Sequence, residues 1–290
     1  QPLRFNITTH HCKPHHTVGI AERLTRAIGD TLGQPSDFAL TKDDEAENLA
    51  LLVVRGQDDH FTISIDSSGD LLHRRGYRLA LGKAPLRETF AAGLLYLAGF
   101  HPDQPFLDAF CGSGTLAIEA ALLARQIAPG LQRGFAFQGW PRFQADLWQT
   151  ALAEAHAAKQ ASAPAPLLAS DRDAGAIVAA QANAERAGVA ADITFQVAPF
   201  SAIEPPATPG RWLSNLPYHQ RTRASRQADP RNLFARLGQV ARQHTPAWRV
   251  AWLVAHTAPL KAAELPFAEP LRLSNGGLKV QLVQAQIPTS

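Results

Sequence analysis

Phe106-Leu107-Asp108-Ala109-Phe110-Cys111-Gly112-Ser113-Gly114-Thr115 is the stretch that decides how the rest of the chain is read. An apolar segment of strand length ends at a carboxylate, turns over two closely spaced glycines and runs into a helical pattern that starts at Thr115. Gly112 and Gly114 lack a Cβ and permit φ > 0, so the turn can wrap closely around a ligand, and the helix that follows offers unpaired N–H groups at its start. The spacing is not the G-x-G-x-x-G of a dinucleotide fold, because Ala117 stands three residues after Gly114. Nor is it a P-loop, which requires Gly-Lys-Ser/Thr. Taken alone, the motif is either a nucleoside-cofactor turn or a tight strand-to-helix turn without a ligand.

On both sides of this stretch, apolar runs of strand length alternate with helical patterns. The candidate strands are Phe106–Ala109, Leu167–Ser170, Ile193–Val197, Arg211–Ser214 and Arg249–Ala255. Helices are expected at Leu86–Ala98, Thr115–Ala128, Phe143–Lys159, Ala174–Ala187 and Asn232–His244. Such alternation marks an α/β fold, a doubly wound and mostly parallel sheet covered by helices on both faces. Leu271–Leu273 and Leu278–Ala285 flank Asn275-Gly276-Gly277, which reads as a hairpin, so two antiparallel edge strands are expected to close the sheet. Residues 1–66 differ, with a strand at Leu3–Thr8, a helix at Val18–Leu32 and an alternating strand at Phe61–Ile65. They read as part of an accessory α+β unit, joined by a linker over 67–84 to a domain over 85–290. The absence of Met even at position 1 implies that Gln1 is not the natural start.

Composition narrows the function classes. The chain has 290 residues, 28 Lys+Arg against 25 Asp+Glu, and 46% hydrophobic against 18% charged residues, so a sizeable core is available and wholesale disorder is excluded. The longest uncharged apolar run, Ala91–Phe100, falls well short of the roughly 20 residues of a membrane span, and no leader opens the chain. Two cysteines, Cys12 and Cys111, cannot build a disulfide framework, which points to a reducing, cytoplasmic setting.

Two further segments carry chemistry. A cofactor with free ribose hydroxyls is expected to meet a carboxylate at the end of the next strand, since a carboxylate accepts two hydroxyl hydrogen bonds. Asp171 follows Leu167–Ser170 and suits this role, but it lies far beyond the usual separation of about 20 residues and so requires an insertion. Its other reading is a helix N-cap, for which Asp173 is equally placed. Arg211-Trp212-Leu213-Ser214-Asn215-Leu216-Pro217-Tyr218 ends another strand with an amide, a rigid proline and an aromatic ring. The Asn215 side-chain oxygen and the Leu216 carbonyl could accept the hydrogens of an exocyclic base amine and orient its lone pair, Pro217 would stiffen the turn, and Tyr218 could stack on the base. The alternative is a turn with a packed tyrosine.

Asp108–Thr115 together with Asn215–Tyr218 resembles the class I S-adenosylmethionine-dependent amino-methyltransferases. Ser68-Gly69-Asp70-Leu71-Leu72-His73-Arg74-Arg75-Gly76-Tyr77-Arg78, the stretch Ala84-Pro85-Leu86-Arg87-Glu88-Thr89 and the Phe135–Phe143 insertion resemble, more narrowly, the THUMP-domain RNA guanine-N2 methyltransferases. The resemblance implies a seven-stranded Rossmann-like domain and a partial THUMP-like region over 1–66. It implies S-adenosyl-L-methionine as cofactor and structured RNA as substrate, rRNA favoured over tRNA, with a cytoplasmic monomer needing no metal. By the same resemblance Asp108, Phe110, Cys111, Gly112, Ser113 and Gly114 hold the methionine end of the cofactor, Pro85 to Thr89 lie beside it, Asp171 takes the ribose, and Asn215 to Tyr218 take the target guanine, with Asn215 also contacting the cofactor. Two positions depart from the family pattern. Leu216 replaces the first proline of Asn-Pro-Pro-Tyr, which also brings the segment close to adenine-N6 methyltransferases, and Ala198-Pro199 stands where an adenine-contacting Asp is expected. An adenine-N6 enzyme and a non-catalytic RNA-binding module with a degenerate cofactor site are the alternatives.

Eight Arg and a single acid, Asp229, lie between Arg211 and Arg249. Arg221, Arg223, Arg226 and Arg231 follow the proposed base site and are expected to neutralise phosphates, with His73, Arg74 and Arg75 extending the track. The cluster His10-His11-Cys12-Lys13-Pro14-His15-His16 invites a zinc reading, but adjacent strand residues point to opposite faces and no second Cys/His cluster exists, so no metal is expected. Cys111 has no base partner in its motif and reads as loop packing.

Overall fold

The computed structural model describes residues 3–33, 38–40, 51–79, 86–217 and 229–289. Its contacts divide the chain into two units, Gln1–Leu72 with Arg133–Ala151, and His73–Gln132 with Leu152–Ser290. The insertion around 133–151, which the sequence assigns to the larger domain, thus groups with the first unit.

The first unit contains β1 (Leu3–His10), α1 (Thr17–Leu32), β2 (Phe38–Leu40), β3 (Leu51–Gln57) and β4 (His60–Ile65) in the sheet order β2-β1-β3-β4. β1 runs parallel to β2 and β3, and β4 returns antiparallel to β3. Phe5, Ile20, Ala21 and Val54 form its small core between sheet and helix. The histidine cluster serves local structure here: His16 Nδ1 caps α1 by accepting from Gly19 N, and Cys12 Sγ donates to the His10 carbonyl. Among the described residues no group of three or more His, Cys, Asp or Glu is arranged to hold a metal. In the insertion, which leads into α4 (Ala145–Ala157), the Phe135 and Phe137 rings stack at 5.4 Å, Trp148 of α4 meets both edge-on, and Arg133 lies over Phe135 while donating to the Ser68 carbonyl at 2.9 Å.

The second unit is built on α2 (Glu88–Leu97), β5 (Phe106–Asp108), α3 (Thr115–Ala124), β6 (Leu167–Asp171), α5 (Ala174–Ala187), β7 (Ile193–Val197), β8 (Arg211–Asn215), α6 (Pro230–His244), β9 (Arg249–Val254), β10 (Leu271–Asn275) and β11 (Leu278–Gln286). The sheet order is β10-β11-β9-β8-β5-β6-β7. Strands β7, β6, β5, β8 and β9 are parallel, whereas β11 is antiparallel to both β9 and β10. Side chains alternate across such a sheet. Leu213, Ala251 and Leu253 enter the core on the face of α2, α3 and α5, while Trp212, Val250, Trp252 and Val254 enter the other, with Phe234 and Leu237 of α6. Burial on both faces explains why these strands read as nearly continuous apolar runs.

The pair β10 and β11 corrects one expectation. Of the two, β10 alone lies at the edge, and β11 lies between it and β9. Val280, Leu282, Val283 and Ala285 are buried on β11, whereas no residue of β10 is, so the more apolar strand takes the interior place.

Candidate active site

The chain leaves β5 for β6 and β7 on one side and returns to β8 and β9 on the other, so strand order reverses between β5 and β8. Open α/β sheets bind ligands at that switch point, beyond the carboxyl ends of the strands. Asp108, Asp171 and Asn215 are the last residues of the three adjacent parallel strands β5, β6 and β8. Residues far apart in sequence are therefore brought together by the sheet.

The glycine turn is held open by backbone bonds. Gly114 N donates to the Cys111 carbonyl at 2.8 Å, and Cys111 N donates to the Ser170 carbonyl at 2.9 Å, which ties the turn to β6. Gly114 has φ +84°, and a Cβ there would meet the Ala180 Cβ at 2.9 Å, so only glycine lets α3 start this close to α5. At Gly112, φ +52°, a Cβ would meet nothing within 4 Å, so the turn leaves open space where a ligand can approach the backbone. Asn183, fully buried on α5, donates from Nδ2 to the Ser113 carbonyl at 3.0 Å and secures the turn from below.

Two acids face this turn differently. Asp171 Oδ2 accepts from Gly112 N at 3.0 Å and Oδ1 accepts from Asp173 N at 3.0 Å, and each oxygen retains a lone pair for a hydroxyl. The helix cap is Asp173, whose Oδ1 accepts from Gly175 N at 2.9 Å, so the structure separates the two acids that the sequence left interchangeable. Asp108 is 1% exposed, and its Oδ1 accepts from Ser214 Oγ at 2.8 Å and Phe110 N at 3.2 Å. Its carboxyl is raised to about 7: burial pushes it up, the Ser214 and Phe110 hydrogen bonds pull against that, and the nearby Asp171 charge adds to the rise. Burial and the same two acids push the Cys111 thiol well above its ordinary value, so it stays protonated and packs the loop.

Asn215 is half-buried, Pro217 is exposed, and Leu216 packs its side chain in the core while its N–H donates to the Leu253 carbonyl at 3.1 Å. Thr89 is exposed on the first turn of α2. Pro85, Tyr218, Arg221, Arg223 and Arg226 lie outside the described residues.

Of the remaining basic candidates, Arg74 is exposed and His73 half-buried, its imidazole lowered chiefly by burial. Arg231 is exposed but pairs with the Asp229 carboxylate at 2.7 Å beside the cap of α6. Arg75 requires a correction. It is 9% exposed and its Nη2 lies 3.1 Å from Glu119 Oε2, while Tyr77 OH donates to Glu119 Oε1 at 2.8 Å. Its charge is spent inside the domain and is not offered to phosphate.

Sequence reasoning missed three contributors. Ser214 supports Asp108, Asn183 supports the turn, and the Phe200 ring stacks on Phe110 at 5.3 Å directly after Ala198-Pro199. Ser214 is a polar residue between the buried Leu213 and the strand end, a signal that could have found it, whereas Asn183 lies on a helix that also carries Gln181, Glu185 and Arg186 and stands out only by its burial.

The seven-stranded sheet with its inverted last strand, and a glycine turn flanked by acids at its switch point, define the chain's second unit as a class I S-adenosylmethionine-dependent methyltransferase fold. Residues 75–284 match the RMKL-like methyltransferase domain, and the chain belongs to that family. A Synechocystis sp. protein (slr0064), named for an RNA methyltransferase activity, is 35% identical over 288 residues, which cover 99% of this chain and 74% of that protein. The ribosomal RNA large subunit methyltransferase K/L of Shewanella sp. (strain W3-18-1) is 38% identical over 232 residues, 77% of this chain. The match spans only 32% of that longer protein. A Listeria monocytogenes structure described as a predicted N6-adenine-specific DNA methylase superposes with a TM-score of 0.83 at 29% identity, over 99% of this chain and 73% of that one. No helix among the described residues is long and apolar enough to cross a membrane.

Proposed function

We propose that this chain is an RNA methyltransferase that acts on the exocyclic N2 of a guanine in structured RNA. The observation that carries the reading is the convergence of Asp108, Asp171 and Asn215 on the ends of three adjacent strands, around a turn open at Gly112. S-adenosylmethionine supplies an activated methyl group on a sulfonium centre. The residues fit it: Asp108 offers a buried carboxylate without a paired cation among the described ion pairs, Asp171 offers lone pairs to ribose hydroxyls, and Phe110 with Phe200 offers apolar ring surface for a base.

On the substrate side, the Asn215 side chain and the Leu216 carbonyl hold the two hydrogens of the base amine. An exocyclic amine is a weak nucleophile because its lone pair is delocalised into the ring, and two acceptors can turn that pair out of the ring plane toward the methyl group. Pro217 stiffens this turn and Tyr218 stacks on the base. Most of the acceleration comes from alignment, as expected for a direct displacement with neither metal nor covalent enzyme intermediate. His73, Arg74, Arg221, Arg223, Arg226 and Arg231 supply the phosphate contacts. The relatives named for rRNA support rRNA over tRNA as the substrate.

Adenine N6 is the second reading, favoured by Leu216 and by the Listeria relative. The test is transfer of labelled methyl from S-adenosylmethionine to undermethylated ribosomal RNA, followed by nucleoside analysis. The expected product is N2-methylguanosine. Label found only in N6-methyladenosine would replace guanine with adenine, and cofactor binding without transfer to any RNA would overturn the enzymatic reading.

A further inference from the structure

Ser214 lies inside β8, one residue before Asn215, with none of its surface exposed. A hydroxyl has one proton and two acceptor sites. Here the acceptor sites are taken by Ala109 N–H at 3.0 Å and by the Trp212 indole Nε1–H at 3.1 Å. Its proton is thereby directed to Asp108 Oδ1, at 2.8 Å. Phe110 N donates to the same oxygen at 3.2 Å, so protein donors converge on Oδ1 and neither of these bonds reaches Oδ2. One hydroxyl thus joins β8, the start of the glycine turn and the carboxylate that ends β5.

We propose that Ser214 is a positioning residue for methyl transfer: it locks the Asp108 carboxylate with Oδ1 turned into the protein and Oδ2 presented to the cationic end of the cofactor, and holds the cofactor end of β5 in register with Asn215. The proposal rests on the cofactor reading above. Its physical core is that Asp108 has to remain an anion in a place that disfavours one. The titratable groups facing it are Asp171 at the end of β6, which opposes ionisation, and the Cys111 thiol in the turn, itself held protonated. Against burial and Asp171 stand only the Ser214 hydroxyl and the Phe110 amide. With Oδ1 saturated by donors, a proton added to Asp108 goes to Oδ2, the oxygen that meets the cofactor. Removing the Ser214 hydroxyl therefore raises the carboxyl and weakens cofactor binding at neutral pH, and the loss diminishes as pH climbs and ionisation is restored.

The experiment is calorimetric titration of the full chain with S-adenosylhomocysteine from pH 6 to 8.5, using wild type, Ser214→Ala, Ser214→Thr and Asp108→Asn. Wild-type affinity is expected to rise through about pH 7 and level off. Ser214→Ala should bind about tenfold more weakly at pH 7, the order expected for one hydrogen bond to a charged group, and regain most of that loss by pH 8.5. Ser214→Thr, which restores the hydroxyl, should follow the wild-type profile. Asp108→Asn should bind weakly with no pH response. A Ser214→Ala profile that superimposes on wild type, or a loss of equal size at every pH, would overturn the proposal, because a merely structural role moves affinity without moving its midpoint. If Ser214→Ala does not fold, Ser214→Cys, a weaker donor of similar shape, should shift the midpoint in the same direction, and an unshifted midpoint counts against the proposal equally. Wild-type binding that is flat across this range would sink the role of Ser214 alone. Absence of any binding by the folded wild type would remove the cofactor reading and this proposal with it.

Discussion

Asp108 and Glu119 are buried carboxylates of the same unit, eleven positions apart in sequence, and both are raised to about 7, yet their surroundings differ in kind. Glu119 meets its charge within the protein: Arg75 lies 3.1 Å from one oxygen and the Tyr77 hydroxyl donates to the other. Tyr77 is fixed in turn by Arg186, whose Nε donates to its carbonyl oxygen at 2.8 Å. Asp108 has only neutral donors, Ser214 and Phe110, and a second carboxylate nearby. Burial alone does not distinguish the two. A buried acid whose counter-charge is already in place belongs to the architecture, whereas one held by neutral donors beside an open turn suits the cofactor role proposed for Asp108.

The contrast can be broken most sharply at Arg75. Arg75→Ala leaves Glu119 buried without its cation and should cost about 3–5 kcal/mol of stability, read by urea unfolding. A loss too small to measure would show that Glu119 does not depend on the pair. Next comes the chemistry itself: Asn215→Ala should lower methyl transfer by about a hundredfold or more, the scale of removing one oriented polar group from a transition-state site, with S-adenosylhomocysteine affinity unchanged. Unchanged turnover would remove Asn215 from the reaction. Asp171→Ala should weaken cofactor binding by roughly 1.5–3 kcal/mol. Asp173→Ala should instead reduce stability by about 1 kcal/mol, as loss of a helix cap does, and leave the affinity in place; the reverse outcome would exchange the roles of the two acids.

The Asp108 and Glu119 carboxyls also give stability a slope against pH. Both carboxyls sit at about 7 in the folded chain, above the roughly 4 of an unfolded one. Between those values the folded chain keeps protons that the unfolded chain has released, so the stability linked to these groups is full below about pH 4 and is lost as pH rises toward 7. Unfolding measured at pH 5 and pH 8 should show the decline, and Glu119→Gln should flatten its share. A Glu119→Gln chain with the wild-type slope would show that Glu119 is not the group responsible.

Much of the larger unit was legible from periodicity, because strands buried on both faces have to be apolar throughout. Ile193–Val197 and Ala174–Ala187 match their expected bounds, and other ends differ by a few residues where caps and turns decide them. The interior place of β11 was not legible, since a Gly-Gly hairpin specifies a pair of strands and says nothing of which one adds to the sheet. β3 was missed because Arg55-Gly56 interrupts its apolar run, although it pairs with both β1 and β4. Tandem basic residues at His73-Arg74-Arg75 hid an alternation in which Arg75 and Tyr77 turn inward while Arg74 and Gly76 are exposed. The separation of Asp171 from Asp173 depended on bonds to Gly112 and Gly175, which spacing alone does not reveal.

Whether Asp108 and the turn beside it form a cofactor site is decided by calorimetric titration of the wild-type chain with S-adenosylmethionine, with Asp108→Asn alongside. Saturable one-to-one binding by the wild type and strongly weakened binding by the variant are expected. A folded wild-type chain that binds no S-adenosylmethionine, or a variant that binds it equally well, would contradict a cofactor site there.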